Sequence, residues 1–551
     1  MRFSALPVAA SLIAINCLGY FVFPGHSYLS SDTQIYLPML ERIWDPSLLG
    51  KDLIAVNPHV SFTIYDELAV FSRIVTGLSF DHILPVLHFL FRLAGMYGIF
   101  LIFQAWAFSI VSSLFGTTIF ALGAFVYGPS VMIWELEPVP RSMALPLLWL
   151  AIGCIVNDRL RLGASAAGLA LLLHAPTVWP VWLMIGLMIL FPPAGSVWVK
   201  DRLIVAAILI ASVALLFTLS RLQPGEREKQ QFFLQLDSNL EYLQRLRASY
   251  NWVSLWTALW WKKYLLLFAV SLYSARKLKI LAPPTLRRFH IGLTLIGAAS
   301  LVLSYLTLEV GKLAIGSQLQ FGRALLFVMA WAMLGAVAVA IRATQKKQML
   351  RALAWFYFAY AIPIHAQTHQ MFLPWSPVEP MAKKVALAFC LALLAAAALR
   401  WIRGYVGPPV LLMVAAGAIW AIPYVTKAPP PPVLLTKDLI SLASWARQTG
   451  KQSVFHFPDA GKDLYPGAFR AESLRAIYVD WKSGGQVNFH KGLADEWWAR
   501  WSKTLAKPYS SQPPNSYEMM GVDYIVLRPG HRLVGSNPAY ENSSYIVYST
   551  Y

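Results

Sequence analysis

The sequence predicts a mainly α protein, in which a bundle of about thirteen transmembrane helices precedes a small α/β domain outside the membrane. Of the 551 residues, 57% are hydrophobic and only 13% are charged, whereas soluble domains carry about 25% charged residues. Apolar runs long enough to cross a bilayer recur along most of the chain. After the proline run 429–432, helix and strand patterns alternate to the end.

The basic residues predict how the bundle is oriented. The net charge of +19 lies in short clusters of Lys and Arg between the apolar runs, which indicates membrane orientation and excludes nucleic acid as a predicted partner. The clusters follow every second span, so the N-terminus is predicted inside and the C-terminal domain outside. The predicted spans are 5–23, 83–104, 107–128, 141–157, 163–177, 178–194, 203–219, 257–275, 290–309, 323–341, 351–366, 384–400 and 406–425.

The first span, 5–23, is interpreted as a retained helix because no small-residue cleavage site ends it. The first outer loop, 24–82, follows it and holds the first acidic residues of the chain. Ser31 or Asp32 is predicted to cap a helix from Thr33 to Ile43, and a second amphipathic helix is predicted from Phe62 to Leu78. Both helices suit a position in the membrane interface.

Polar residues also collect in the later outer loops, at the heads of predicted spans. The turn Glu137-Pro-Val-Pro-Arg141 is rigid and would hold the Arg141 guanidinium, which suits phosphate or carboxylate. His369 follows His365 at helical spacing, but no third ligand is evident nearby, so no zinc site is predicted. The candidate binding residues in these loops are Glu135, Glu137, Arg141, His174, Gln318, Gln320 and Arg323.

The predicted outer domain carries no phosphate loop, zinc spacing or catalytic triad motif. Its favoured interpretation is a structural or substrate-guiding cap. Helices are predicted over 439–448 and 494–505, and extended segments over 453–457, 475–479, 524–527 and 544–548.

Carboxylates and cationic groups on one side of a lipid-soluble bundle suit group transfer from an anionic lipid. A carboxylate would deprotonate the acceptor hydroxyl, and Arg, Lys or His would stabilise the departing phosphate. Two alternatives stay open. A transporter or lipid flippase would need polar groups at mid-bilayer depth, for which Arg92, Lys262 and Lys263 are the candidates, and a non-catalytic subunit of a membrane complex would use the outer domain for docking.

The layout of the chain resembles the GT-C superfamily of integral membrane glycosyltransferases. Several short stretches look like a group of uncharacterised bacterial GT-C-type proteins. They are Asp32-Thr-Gln-Ile-Tyr-Leu-Pro38 with Asp45-Pro46 and Asp52, Pro138-Val-Pro-Arg141 through Pro146, and, in the outer domain, Phe469 to Arg475 and Val479-Asp-Trp-Lys482. The resemblance implies a GT-C enzyme of the bacterial inner membrane, with a polyprenyl-phosphate-type sugar donor and a glycan, lipid or protein acceptor at the outer face.

The resemblance also implies that the acidic residue of the first loop serves as the base or positions a metal. This role falls on Asp32, and Gln34, Asp45 and Asp52 are further substrate-binding candidates in the same loop. Asp32 is not part of an Asp-x-Asp pair, so no metal ligand is assigned, and a divalent cation, Mg²⁺ or Mn²⁺, stays open as a cofactor. The expected division is a membrane module, 1–425, and an outer domain, 426–551.

Overall fold

The computed structural model describes residues 5–22, 24–56, 62–123, 125–126, 131–193, 198–223, 232–348, 350–352, 354–355 and 434–551. The predicted spans 384–400 and 406–425, most of span 351–366, the proline run, and His365 and His369 lie outside the described residues.

The described part is mostly helical, as predicted. In chain order the α-helices are α1 (Ala5–Cys17), α2 (Thr33–Trp44), α3 (Tyr65–Thr76), α4 (Phe80–Ala105), α5 (Ile110–Ala121), α6 (Pro140–Val156), α7 (Leu160–Leu173), α8 (Ala175–Leu190), α9 (Trp198–Leu222), α10 (Ser238–Arg247), α11 (Ala258–Leu278), α12 (Pro284–Ser304), α13 (Ala314–Leu319), α14 (Leu325–Gln345), α15 (Lys437–Ala446), α16 (Tyr465–Ser473) and α17 (Lys491–Thr504). The strands are β1 (Phe125–Val126), β2 (Val131–Met132), β3 (Val454–His456), β4 (Ala476–Ile477), β5 (Tyr524–Leu527), β6 (Tyr540–Glu541) and β7 (Ile546–Ser549).

The apolar helices form a bundle centred on α14, which is hydrophobic on every face and is buried almost throughout. Four helical stretches of the described residues are long and apolar enough to cross a membrane: Phe80–Ala105, Trp198–Leu222, Pro284–Val310 and Ala314–Gln345. Shorter apolar helices accompany them, among them α6, α7 and α8. The chain is therefore an integral membrane protein by its helices, and the number of its spans is not fixed by them.

The two helices predicted in the first outer loop are present as α2 and α3. They pack on each other, and Arg73 of α3 pairs with Glu41 of α2 at 3.1 Å. On the other face of α3, Phe71, Ile74 and Val75 are exposed. This apolar face is typical of a helix that lies in the membrane interface.

The C-terminal residues form a five-stranded sheet in the order β4-β3-β5-β7-β6. Strand β3 is parallel to β4 and β5, whereas β7 is antiparallel to β5 and β6. Helices α15 and α16 pack together beside it. The sequence predicted this α/β character and several of the elements, but it did not predict α16 or β6.

Candidate active site

A cavity of about 660 Å³ lies where the outer loops of the bundle meet the C-terminal residues. Asp32 and the later-loop candidates all line it, although they come from four separate parts of the sequence. These residues are Asp32, Glu135, Glu137, Arg141, His174, Gln318, Gln320 and Arg323. The folded chain thus brings together side chains whose convergence the sequence alone did not show.

Asp32 lies between two cationic side chains. Its Oδ2 is 2.8 Å from a terminal nitrogen of Arg141, and its Oδ1 is 2.5 Å from Nζ of Lys482. Arg141 also pairs through Nε with Glu135, at 2.6 Å. The result is a chain of four charged groups, and both oxygens of Asp32 are engaged within it.

The Asp32 side chain can form these ion pairs because the carboxylate of another residue caps α2. The structure places Asp32 at the N-cap position, but its side chain makes no capping hydrogen bond, so the predicted side-chain cap by Asp32 is wrong. Glu137 accepts hydrogen bonds from the backbone N–H groups of Ser31 and Asp32, at 2.6 and 2.5 Å, and from that of Thr33 at 3.2 Å. A carboxylate there satisfies donors that a helix start leaves open and opposes the positive end of the helix dipole.

The surroundings shift the pKa values of both carboxyl groups. Burial raises the pKa of Asp32, but Lys482 and Arg141 lower it more strongly, so that it lies well below its usual range. Burial and the nearby Asp32 charge raise the pKa of Glu137, although Lys482 and the hydrogen-bond donors around Glu137 oppose this. Of the two carboxyl groups, Asp32 therefore has the stronger preference for the ionised form.

Three of the sequence candidates in the first loop do not line the cavity. Gln34 is buried and donates a hydrogen bond to the Leu29 carbonyl at 2.7 Å. Asp45 is exposed and pairs with Lys451 at 3.5 Å. Asp52 is buried, where it accepts a hydrogen bond from the backbone of Ile477 at 3.1 Å. All three hold the first loop together or join it to the C-terminal residues.

Sequence reasoning gave no site role to several residues that line the cavity from the later part of the chain. Lys482, which pairs with Asp32, is in the Val479-Asp-Trp-Lys482 stretch on which the resemblance partly rests. Its local sequence gives no sign that it would meet a residue 450 positions earlier. The other polar and aromatic residues in this group are Arg247, Tyr250, Trp481, Gln486, Asn488 and Phe489.

One wall of the cavity is apolar and continues onto the bundle. Leu216 and Phe217 of α9 line it together with Phe62 and Phe232. The Phe62 ring lies 5.5 Å from that of Phe217 and 6.0 Å from that of Phe232. Since much of α9 faces outward from the bundle, an apolar chain could pass from the cavity along this wall.

The residues present do not fit a divalent cation. Both oxygens of Asp32 already face cationic groups, and Glu137 is occupied by backbone donors. Within the described residues no group of three or more His, Cys, Asp or Glu side chains could hold a metal ion. Positive charges next to the carboxylates would also repel a cation.

The charged residues considered for a transport path lie elsewhere. Arg92 is fully buried in α4, where it donates to the carbonyls of Gly25 and Ala121 at 3.4 and 3.3 Å. Ala121 is the last residue of α5, so the guanidinium satisfies carbonyl groups that a helix end leaves open. Lys262 is exposed and Lys263 half-buried on α11, and neither lines the cavity.

The chain superposes on the crystal structure of ArnT from Cupriavidus metallidurans in the apo state with a TM-score of 0.50, at 10% sequence identity, over 99% of this chain and 97% of that one. The structure of ArnT bound to undecaprenyl phosphate gives a TM-score of 0.45 at 12% identity, over 99% of this chain and 97% of that one. Arabinofuranosyltransferase AftD from Mycobacteria gives 0.41 at 13% identity, over 100% of this chain and 40% of that one. No family model matches the sequence, and no curated protein matches it significantly. ArnT is a GT-C glycosyltransferase, and the superposition confirms the expected GT-C fold for this chain.

Proposed function

We propose that this chain, with its GT-C fold, is a membrane glycosyltransferase. It moves a sugar from a polyprenyl-phosphate-type lipid donor to an acceptor hydroxyl, with Asp32 as the proton acceptor. The observation that carries the proposal is the cavity in which Asp32 lies among cationic side chains beside an apolar wall. A lipid-linked sugar phosphate has an anionic head and an apolar tail, which match these two surfaces.

The chemistry is a single displacement at the anomeric carbon. The acceptor oxygen bonds to that carbon while the bond from the carbon to the phosphate oxygen breaks. The phosphate leaves with the electron pair, and the hydroxyl proton passes to Asp32. Arg141 and Lys482, the two cationic groups beside Asp32, can stabilise the negative charge on the leaving phosphate.

The ion pairs of Asp32 impose a condition on this step. A carboxylate whose pKa is well below the usual range is a weak base. Donor phosphate would compete with Asp32 for Lys482 and Arg141, and each contact that moves to the phosphate raises the pKa of Asp32. Donor binding would thus strengthen the base at the moment when the acceptor hydroxyl must lose its proton.

The proposal places the cavity at the outer face of a bacterial inner membrane, with the N-terminus in the cytoplasm. The described residues 434–551 then belong to the outer domain expected over 426–551, and they close the cavity on the side away from the membrane module. Lys482 is the residue of this domain that pairs with Asp32. Since the cavity residues do not fit a cation, transfer is proposed to proceed without a metal bound to Asp32.

The test is release of undecaprenyl phosphate from a panel of undecaprenyl-phosphate-linked monosaccharides by the purified full chain in lipid nanodiscs. Wild-type protein should release it from at least one donor when acceptor glycans are present. Asp32→Asn should lower the rate by at least 100-fold. Asp45→Asn changes a carboxylate of the same loop that does not line the cavity, and it should leave the rate unchanged. Full activity of Asp32→Asn would show that Asp32 is not the proton acceptor. If wild-type protein releases undecaprenyl phosphate from none of the donors, the proposed class of donor is wrong.

A further inference from the structure

Arg247, the last residue of α10, has no polar partner in the described structure. Its guanidinium carbon lies 3.7 Å from the ring centre of Trp481 and 5.5 Å from that of Trp497. No described residue accepts a hydrogen bond from it or forms an ion pair with it, and its Nε is buried without an acceptor. Stacking on aromatic rings fixes the plane of a guanidinium while leaving its donors free.

Arg323 is the second cationic group on this side of the cavity. One terminal nitrogen donates to the hydroxyl of Tyr250 at 3.1 Å, and the guanidinium lies 5.3 Å from the centre of that ring. Its Nε is buried and has no acceptor among the described residues. In the part of the chain that is described, no carboxylate lies within ion-pair distance of it.

The charges of the cavity are therefore unevenly compensated. Four cationic and three acidic side chains line it. Asp32 and Glu135 pair with Arg141 and Lys482, and Glu137 is occupied by the start of α2. Arg247 and Arg323 form no ion pair with a described residue, and partly buried charges of one sign are costly unless a ligand compensates them.

The same region holds polar groups that lack partners. Three amide oxygens, those of Gln318, Gln486 and Asn488, are buried and receive no hydrogen bond from a described residue. All three residues line the cavity. Unpaired acceptors beside unpaired guanidinium donors suit a ligand that carries hydroxyl groups and negative charge together.

We infer that Arg247 and Arg323, with the amides of Gln318, Gln486 and Asn488, form a second anion site, distinct from the Asp32 ion pairs, that binds a phosphate group on a hydroxylated ligand. The inference rests on the proposed function. A sugar linked to lipid through one phosphate carries one negative charge, whereas a diphosphate link carries two. The second charge belongs either to the second phosphate of a diphosphate donor or to a phosphorylated acceptor.

The experiment measures binding alone, with the full chain in nanodiscs of zwitterionic lipid and with three probes: farnesyl phosphate, farnesyl diphosphate and inorganic phosphate. Wild type is compared with Arg247→Gln and Arg247→Lys. The matched control is Arg245→Gln on the same helix, where Arg245 pairs with Glu241 at 2.9 Å and does not line the cavity. Thermal unfolding of each variant verifies folding, and Arg323→Gln is measured in parallel so that a misfolded Arg247 variant does not decide the outcome.

If the second phosphate of a donor occupies the site, farnesyl diphosphate binds wild type at least tenfold more tightly than farnesyl phosphate, and Arg247→Gln removes this advantage. If an acceptor occupies it, the two farnesyl probes bind alike. Arg247→Gln then weakens inorganic phosphate binding to the protein saturated with farnesyl phosphate by at least tenfold. In either case Arg247→Lys keeps part of the affinity and Arg245→Gln keeps all of it.

Unchanged affinities of folded Arg247→Gln and Arg323→Gln for both farnesyl diphosphate and inorganic phosphate would overturn the inference, even if Asp32-dependent transfer is found. Failure of the proposed function looks different. Farnesyl phosphate would then not bind to wild type at all, while inorganic phosphate would still report on Arg247.

Discussion

At the residue scale, Lys482 and Arg141 together hold the pKa of the Asp32 carboxyl well below its usual range. Because the folded pKa of Asp32 is lowered, its ion pairs stabilise the fold above the ordinary pKa of about 3.9 and lose this effect as the pH falls below that value. Asp32 should therefore give no acidic limb to the transfer rate between about pH 5 and 8.

Lys482→Gln tests this dependence. The substitution removes the cation that lowers the pKa of Asp32 most strongly, so the acidic limb of the pH–rate profile should shift to higher pH. The rate at neutral pH should fall, because the leaving phosphate loses a cation. Lys451→Gln removes an exposed lysine that pairs with Asp45 and should leave the profile as it is. An unchanged profile in Lys482→Gln would show that Lys482 does not control Asp32.

Glu137 acts on the backbone around Asp32. Glu137→Ala should destabilise the protein by about 0.5–2 kcal/mol, the usual cost of losing a helix cap, because the N–H groups of Ser31, Asp32 and Thr33 lose their acceptor. Glu137→Gln retains one acceptor oxygen and should lose less. Thermal unfolding measures both, with exposed Glu496→Gln as the control, and a cost below that of the control would contradict the capping role.

At the element scale, Arg470 of α16 joins α2 to the segment that carries Lys482. It is fully buried, donates to the carbonyl of Gln34 at 3.2 Å and pairs with Asp480 at 3.2 Å. Both partners are two residues away from the Asp32–Lys482 pair. Asp52 lies 3.6 Å from the same guanidinium nitrogen, so one arginine compensates two buried carboxylates and fixes both sides of the ion pair.

Arg470→Met should therefore cost about 3–5 kcal/mol, because Asp52 and Asp480 would be left buried without a counterion. The expected observation is a lower unfolding temperature together with early proteolysis of residues 434–551. Arg447→Gln is the control, since Arg447 is half-exposed and its pair with Glu472 is at the surface, where such pairs contribute about 0–1 kcal/mol. Equal losses in the two variants would argue against the Arg470 junction.

At the scale of the whole molecule, the contact of Asp32 with Lys482 requires that the first loop and the C-terminal residues lie on one side of the membrane. The number of crossings between them must then be even, and the twelve spans that the sequence predicts after the first loop satisfy this condition. If two of these segments form a re-entrant pair, the number of crossings falls by two and stays even.

Cysteine labelling tests this arrangement. In a variant without Cys17, Cys154 and Cys390, Val534→Cys should react with a membrane-impermeant maleimide added outside intact cells, because Val534 is fully exposed among the C-terminal residues. Lys279→Cys, exposed between α11 and α12, should react only after the membrane is permeabilised. The reverse pattern would place the cavity on the cytoplasmic face.

The sequence by itself determined the class of the molecule. Apolar runs and basic clusters are local in the chain, and the membrane acts on them directly, so they predict a helical membrane protein and the approximate bounds of helices such as α4 and α6. The amphipathic patterns of α2 and α3 are local too. The acidic loop around Asp32 could be predicted as a candidate site for the same reason, because its carboxylates directly follow an apolar span in the sequence.

Only the tertiary structure decided which polar residues share the cavity. The ion pairs of Asp32 with Arg141 and Lys482 form because α2, α6 and the turn after β4 are packed together. A hydrophobic periodicity in the sequence does not predict a contact between residues 450 positions apart. In the same packing, Glu137 and not Asp32 caps α2, and Gln34 and Asp52 form their hydrogen bonds outside the cavity. Side-chain partners at this distance follow from the three-dimensional path of the chain, whereas the sequence specifies only which groups are available to meet.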